Sequence, residues 1–237
     1  MKGIILILFT TILFSCTSKS NRESQNKIIQ SDTTITKSEN DSISNESLKN
    51  NVNIDLSDSS FINLLSLSDK FDLDLKYATS DNFLNEPVYS CSSCFLRLEI
   101  AKKLIEANKF FYSMGYHIKL FDCYRPLSVQ KKMWEIMPDA RYVANPSSRL
   151  GSFHNRGSAV DLTLVDSLGN ELNMGTPFDF FGKESHFDFK DLPLEVLKNR
   201  ILLREGMEMA GFNGIRTEWW HFSTGNYKTS DIDFCNK

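Results

Sequence analysis

A long polar segment near the start of the chain limits which residues can fold. Residues 17–55 are rich in Ser, Asn, Thr, Lys and Glu, contain no aromatic residue and show no sustained apolar period. Such a segment cannot bury enough apolar surface to offset the entropy that it loses on ordering, so we predict that it is disordered. The folded domain is therefore predicted to span residues 56–237, which is long enough for one sizeable core.

The sixteen residues before this segment resemble an export signal. Lys2 provides a positive start, and residues 3–14 are almost wholly apolar but too few to cross a bilayer as a permanent helix. The run ends in Ser15 and Cys16, as in a bacterial lipobox, where the chain is cut before the cysteine and the cysteine carries lipid. We predict a signal peptide over residues 1–16, lipid on Cys16, and a membrane-anchored domain facing the periplasm or cell exterior. An ordinary secretory signal is the alternative.

Four further cysteines fall in the predicted domain: Cys91, Cys94, Cys123 and Cys235. An exported protein can form disulfides, and four cysteines allow three pairings that the sequence does not distinguish. The CxxC at residues 91–94 has no second pair to complete a zinc knuckle and no thioredoxin-like context. We therefore expect structural thiols or one disulfide.

Charge and missing motifs narrow the function classes. The net charge of −3 argues against a nucleic-acid-binding surface, which would need a basic excess. The sequence contains neither a GxGxxG dinucleotide-binding motif nor a GxxxxGK[ST] phosphate loop. Neither nucleic-acid binding nor nucleotide chemistry is therefore predicted.

Hydrophobic periodicity predicts a mixed fold. Alternating apolar and polar residues, or short apolar runs, predict strands over residues 71–77, 117–121, 158–165 and 217–222. Apolar residues at helical spacing predict helices over residues 98–114, 128–137 and 194–210. Because the elements mix without a regular βαβ alternation, we predict an α+β fold: a small, mostly antiparallel sheet with helices packed on one side and the functional site in a central cleft.

Two pairs of residues have the spacing and chemistry of a metal site. His154 stands seven residues before Asp161 with a glycine between them, and Glu218 stands three residues before His221. Two histidines and one aspartate suit a catalytic zinc that keeps a position open for water. We predict one Zn²⁺ per chain, held by His154, Asp161 and His221.

The fourth member of this group, Glu218, is not needed as a ligand. A spare carboxylate beside a zinc-bound water can act as general base. Arg125, at the end of a predicted strand, is the candidate for stabilising the oxyanion, with a structural salt bridge as its alternative role. On a straight strand Glu218 and His221 point to opposite faces, so both reach one site only if the chain bulges or bends near Trp219.

Five segments resemble, in the same order, the motifs of one enzyme family. Residues 152–161 resemble the SxHxxGxAxD signature of the VanX-type D-alanyl-D-alanine dipeptidases and their D,D-carboxypeptidase relatives. Residues 218–221 resemble their ExWH signature, and residues 122–126 resemble their DGYRP motif. Residues 77–83 and 174–181 are similar to segments of the dipeptidase branch.

The resemblance extends from about residue 71 to the C-terminus. It implies the same zinc ligands, Glu218 as the base and Arg125 at the oxyanion. It also implies that three side chains contact the substrate: Tyr77, Ser152 and Asp179. One departure is Cys123, which replaces the glycine of DGYRP and bears on how the turn before Arg125 packs.

A phenylalanine-rich stretch surrounds Asp179. We expect Phe178, Phe180 and Phe181 to enclose the carboxylate, lower the local dielectric constant and leave Asp179 in need of a cationic partner. The ammonium group of a free dipeptide would supply that partner. The sequence therefore predicts a small, closed site that accepts the free dipeptide.

The predicted function is zinc-dependent hydrolysis of D-alanyl-D-alanine in cell-wall peptide turnover. The alternative is a D,D-carboxypeptidase that trims peptidoglycan stem peptides, with the same metal site and a cleft open at the substrate's amino end. A non-catalytic zinc module would be expected to lack Glu218 or Arg125. A non-haem iron oxygenase also uses two histidines and a carboxylate but does not call for Glu218.

Overall fold

Seven strands and three α-helices form the regular structure of residues 57–149 and 151–236, which are described by a computed structural model. The strands are β1 (Phe61–Asn63), β2 (Asp72–Leu73), β3 (Phe95–Arg97), β4 (Tyr116–Asp122), β5 (Ala159–Asp166), β6 (Asn213–Gly214) and β7 (His221–Ser223). The helices are α1 (Leu98–Ser113), α2 (Leu127–Ile136) and α3 (Leu194–Met209). The predicted signal peptide, lipidated Cys16 and polar tether lie outside the described residues.

The main sheet has the strand order β2-β4-β5-β7-β6. The pairing of β2 with β4 is parallel, and the other three pairings are antiparallel. A separate two-stranded antiparallel sheet joins β1 to β3. The predicted α+β fold with a small, mostly antiparallel sheet is confirmed.

The central strand β5 separates the hydrophobic core on one face of the sheet from the candidate metal site on the other. Its residues alternate, so Val160, Leu162 and Leu164 point to one face while Asp161 points to the other. The three apolar residues share one buried core with residues of α1 and α3. Helix α2 packs in a second, smaller cluster with Tyr77. None of the helices in the described part of the chain is long and apolar enough to span a membrane.

The predicted helices agree with the observed bounds to within one residue at each end, and the two middle strands agree closely. The predicted strand over residues 71–77 is wrong beyond its first half. Only Asp72–Leu73 form β2, and Lys76–Ala78 form a 3₁₀ turn. The alternation there reflects burial of Phe71, Leu75 and Tyr77, which a turn achieves as well as a strand does at the edge of a sheet.

The predicted strand over residues 217–222 is also shorter in the structure, because β7 begins only at His221. Trp219 and Trp220 form a bend before it, which confirms the predicted break in the strand. A second irregularity was not predicted. The register of β4 and β5 shifts between Leu120 and Asp122, so a bulge at Phe121 brings Asp122 beside Asp161.

Two disulfides, rather than none or one, join the four cysteines. Cys94 pairs with Cys123 and Cys91 pairs with Cys235, with Cα–Cα distances of 5.4 and 5.5 Å. The sequence expectation was wrong because both pairings depend on tertiary proximity. Cys94 precedes β3 and Cys123 follows β4, whereas Cys235 lies in a C-terminal segment that returns to Cys91 across 144 residues.

Candidate metal centre and catalytic cleft

Two of the three predicted metal ligands lie side by side on neighbouring strands of the main sheet. Asp161 of β5 lies directly opposite His221 of β7, so their side chains leave the sheet on the same face. His154 lies in a short 3₁₀ turn, His154–Arg156, just before β5. The structure therefore brings together all three residues that the sequence singled out.

The ligand atoms of these residues form a nearly equilateral triangle. The Nε2 atom of His154 lies 3.2 Å from Nδ1 of His221 and 3.3 Å from Oδ1 of Asp161, and the third edge is 2.9 Å. Tetrahedral zinc with bonds of about 2.0–2.2 Å places neighbouring ligand atoms roughly 3.3–3.6 Å apart. The observed edges lie at or slightly below this spacing, and two imidazoles with one carboxylate are donors that suit zinc. Among the described residues this is the only His/Cys/Asp/Glu cluster found that could hold a metal.

A glycine makes the turn from His154 into β5 possible. Gly157 has φ +68°, in the left-handed region, and a Cβ at this position would lie 2.3 Å from the ring of Phe61. Any other residue would meet both the backbone cost and the clash. The glycine in the motif is therefore explained by the turn that it allows.

A backbone carbonyl fixes the orientation of His154. Its Nδ1 lies 2.7 Å from the carbonyl oxygen of Cys123. Because a carbonyl can only accept, Nδ1 carries the proton and the lone pair of Nε2 points to the ligand cluster. The neutral tautomer that a metal requires is thus set by the segment that follows β4.

Glu218 lies beside the ligand triangle but outside it. Its Oε2 is 4.0 Å from Nδ1 of His221, and its burial raises the pKa of the carboxyl group above the ordinary value. The bend at Trp219 and Trp220 places Glu218 and His221 on the same side. Both tryptophans are buried, and Nε1 of Trp219 donates to Oγ1 of Thr176 at 2.9 Å.

Arg125 makes the structural ion pair that was considered for it and also lies at the cleft. It forms a buried ion pair with Asp122, and its Nη1 donates to Oε1 of Gln130 at 2.8 Å. It also lines the cleft, and its Nε is buried without a hydrogen-bond partner in the described parts of the chain. The guanidinium is therefore held firmly while keeping a donor for another group.

Asp122 is a site residue that the sequence analysis did not single out. Its carboxylate is fully buried and accepts hydrogen bonds from the Tyr89 hydroxyl at 2.6 Å and from the Cys123 amide at 2.8 Å, besides binding Arg125. Its position at the start of the segment 122–126 was the available signal. Only the bulge at Phe121 shows that its side chain turns toward the site.

The three predicted substrate-contacting side chains line the same cavity as the ligands, with a volume of about 220 Å³. The hydroxyl of Tyr77 donates to Oδ2 of Asp179 at 2.8 Å, and burial raises the pKa of Asp179 well above its usual range. Asp179 also has φ +57°, an uncommon backbone conformation for a residue other than glycine. The hydroxyl of Ser152 accepts a hydrogen bond from the amide of His154 at 3.2 Å.

The rings around this cavity differ from those predicted. Phe178 packs in the core against Trp220, and Phe180 is 39 % exposed, so neither encloses Asp179 as expected. The expectation rested on the closeness of these rings to Asp179 in the sequence, and a residue next in the chain can still point away from its neighbour. Phe181 does line the cavity, and it contacts Phe83 and Tyr142 with ring centroids 5.2 and 4.4 Å away. Tyr142 had no signal in the sequence.

The fold and the site together define a hydrolase centre with three candidate protein ligands for a metal, a carboxylate beside them and an arginine that lines the same cleft. The chain belongs to the Peptidase_M15 family, described as D-ala-D-ala dipeptidase, whose sequence profile matches residues 58–236. The family resemblance inferred from the motifs is thereby confirmed, and the protein is a zinc metallopeptidase of this family.

Characterised relatives agree with this assignment. The chain is 37 % identical to a D-alanyl-D-alanine dipeptidase of Escherichia coli (strain K12), over 62 % of this chain and 75 % of the relative. It is 33 % identical to one from Enterococcus faecium, over 67 % and 89 %, and 35 % identical to one from Enterococcus faecalis, over 62 % and 82 %.

A solved structure with some likeness is a mutant of the vancomycin resistance D,D-pentapeptidase VanY in complex with Zn(II). The TM-score is 0.38 at 15 % sequence identity, over 57 % of this chain and 75 % of that chain. A likeness of this size does not bear on the geometry of the site.

Proposed function

We propose that this protein hydrolyses the dipeptide D-alanyl-D-alanine to free D-alanine, using one zinc ion held by His154, Asp161 and His221. The observation that carries the proposal is that one cavity is lined by the ligand triangle, by Glu218 and by Asp179. Zinc bound there would lower the pKa of a water ligand to about 7 and polarise the scissile carbonyl group. The names of the relatives supply the substrate, and the cavity supports a small one.

Glu218 is the group placed to move protons. Because its Oε2 is 4.0 Å from a ligand nitrogen rather than within the triangle, the carboxylate stays free to accept a proton from the attacking water. It then gives the proton to the leaving amine. A raised pKa favours this second step, since the protonated form is easier to reach near neutral pH.

Arg125 faces the charge that develops on the attacked carbonyl oxygen. Its bonds to Asp122 and Gln130 hold the guanidinium in place before the substrate arrives, so little reorganisation is needed during the reaction. Arg125 lines the cavity, and its guanidinium is the donor that we assign to the oxyanion.

Asp179 and Tyr77 form the end of the cavity that selects for a free amino group. The carboxylate keeps one hydrogen bond, from the Tyr77 hydroxyl, and a substrate ammonium would add a charged partner where water is scarce. The Ser152 hydroxyl, beside the His154 amide, is the third proposed contact with the substrate. An acylated amino end would leave the Asp179 carboxylate without its cation.

The test compares kcat/KM for D-Ala-D-Ala with kcat/KM for N-acetyl-D-Ala-D-Ala. We expect the acetylated peptide to be about a hundredfold worse, because a buried charge without its partner costs about 3 kcal/mol or more, at roughly tenfold per 1.4 kcal/mol. The cost should lie near 3 kcal/mol rather than above it, because the Tyr77 hydroxyl still donates a hydrogen bond to Asp179. In Asp179→Asn the free dipeptide should lose far more activity than the acetylated one.

L-Ala-L-Ala serves as the stereochemical control and should be a poor substrate. Equal kcat/KM values for the free and acetylated D-peptides would contradict the closed site and favour the D,D-carboxypeptidase reaction on stem peptides.

We also propose that the protein is exported and anchored to a membrane through lipid on Cys16, and that it acts in cell-wall peptide turnover outside the cytoplasm. The two disulfides support export, because such bonds persist in oxidising compartments and are rare in the cytosol. The apolar run that ends at Ser15 and Cys16 supports the anchor.

Replacing Cys16 by serine should move the protein from the membrane fraction to the soluble fraction, because the serine cannot carry the lipid thioether. Fractionation of expressing cells, with mass spectrometry of the mature N-terminus, measures this. Ser18→Ala is the matched control and should stay in the membrane fraction. A Cys16→Ser protein that stays with the membrane and keeps the same processing would refute the anchor.

A further inference from the structure

We infer that the Cys94–Cys123 disulfide positions the zinc ligand His154, so that the zinc affinity of this protein depends on that bond being closed. The inference rests on the proposed zinc site and deepens it. It assigns a role in metal binding to a disulfide whose two cysteines are neither metal ligands nor neighbours of the substrate.

The disulfide ties the two sheets together beside the site. Cys94 precedes β3 of the two-stranded sheet, and Cys123 follows β4 of the main sheet. Both cysteines are fully buried, and the carbonyl of Cys94 accepts a hydrogen bond from the amide of Leu64 at 2.9 Å. Cys94 is thus a fixed point against which Cys123 is held.

The backbone of Cys123 meets the metal site directly. Its carbonyl oxygen is the acceptor 2.7 Å from Nδ1 of His154, and its amide donates to the carboxylate of Asp122. Two residues further on, the amide of Arg125 donates to the carbonyl of His154 at 3.1 Å. A shift of Cys123 would therefore disturb the partner of a metal ligand and the residue that faces the oxyanion.

The second disulfide provides a contrast within the same chain. Cys91 and Cys235 are partly buried, and neither lines the cavity of the proposed metal ligands. Their bond closes a loop of sequence separation 144, against 29 for Cys94 and Cys123. In the loop-entropy model the longer loop gives the larger stabilisation, so a purely structural role predicts that Cys91–Cys235 matters more. If the Cys94–Cys123 bond positions His154, its loss should instead weaken zinc binding more than the loss of the Cys91–Cys235 bond does.

The experiment compares two double variants, Cys94→Ala/Cys123→Ala and Cys91→Ala/Cys235→Ala. The zinc dissociation constant is measured by competition with a chromogenic chelator, at a temperature where circular dichroism shows both metal-free proteins folded. We expect the first variant to bind zinc about tenfold or more weakly, which is the usual effect of losing an outer partner of a ligating histidine. The second variant should stay within about twofold of the unaltered protein. Equal dissociation constants for the first variant and the unaltered protein would overturn the inference, as would a larger loss in the second variant.

A second measurement covers the case in which the first variant does not fold. The Cys91→Ala/Cys235→Ala protein keeps only the Cys94–Cys123 bond, so reductant acts on that bond alone. Reduction with a phosphine that is removed before the titration should lower the zinc affinity. The two protein thiols that it frees cannot mimic this result, because thiols bind zinc and would raise the affinity. Unchanged affinity after complete reduction, verified by thiol titration, would contradict the inference.

These readouts separate the inference from the proposed function, because chelator competition needs no turnover. A protein that binds zinc in a disulfide-dependent way but does not cleave D-Ala-D-Ala would support the inference and refute the proposed substrate. A protein that cleaves the dipeptide with zinc affinity independent of the Cys94–Cys123 bond would do the opposite.

Discussion

Replacement of Glu218 by glutamine is expected to lower kcat for D-Ala-D-Ala by a factor of about 10³, within the 10²–10⁴ range typical of general acid–base catalysis, while zinc remains bound. Glutamine has nearly the same shape but cannot accept the water proton. Zinc is retained because the ligand triangle, with edges of 2.9–3.3 Å, is complete without Glu218. Steady-state kinetics and zinc analysis by mass spectrometry measure the two effects.

Glu195→Gln is the control for the loss of a carboxylate elsewhere on the protein. Glu195 is exposed in the first turn of α3, so this variant should keep the activity of the unaltered protein. If Glu218→Gln retains more than about a tenth of kcat, another group takes the proton and the proposed role of Glu218 is wrong.

The largest expected effect is the loss of zinc from ligand variants. His154→Ala, Asp161→Ala and His221→Ala should each fall from one bound zinc per chain to almost none after dialysis, and should lose activity with it. Each substitution leaves two protein ligands, whereas a catalytic zinc site needs three. Zinc content per chain and residual activity are the measurements.

His117→Ala is the matched control for the removal of an imidazole. His117 lies on β4, and its Nε2 is 3.2 Å from a carboxylate oxygen of Asp72 on the neighbouring edge strand β2. It does not line the cavity of the proposed metal ligands. This variant should keep its zinc. Stoichiometric zinc in two of the three ligand variants would contradict the assignment of the metal site.

The candidate metal ligands and base could be predicted because each of the two pairs of residues lies within a short segment of the sequence. A turn between His154 and Asp161 and a bend between Glu218 and His221 bring each pair to one side, and both follow from local residues such as Gly157. The long helices could be predicted for the same reason, since helical spacing of apolar residues is a local property.

Other parts of the site depend on segments that are distant in the chain. The short strands β1, β3 and β6 gain their structure from a partner strand, so their own sequences carry little signal. Tyr142 reaches the cavity through its contact with the Phe181 ring, 39 residues away in the chain. Neither kind of feature produces a hydrophobic periodicity in the sequence from which it could be predicted.

The sequence by itself was enough to predict the candidate ligands and base and to identify the family and the order of the main elements, because each of these rests on residue types at short spacing. Only the tertiary structure decided the disulfide pairing, the bulge that turns Asp122 into the site and the rings that enclose the cavity. Cys94 meets Cys123, and Cys91 meets Cys235, only after the sheets have assembled. Contacts of this kind depend on the packing of the whole core, and that packing is determined jointly by many residues that are distant in the sequence.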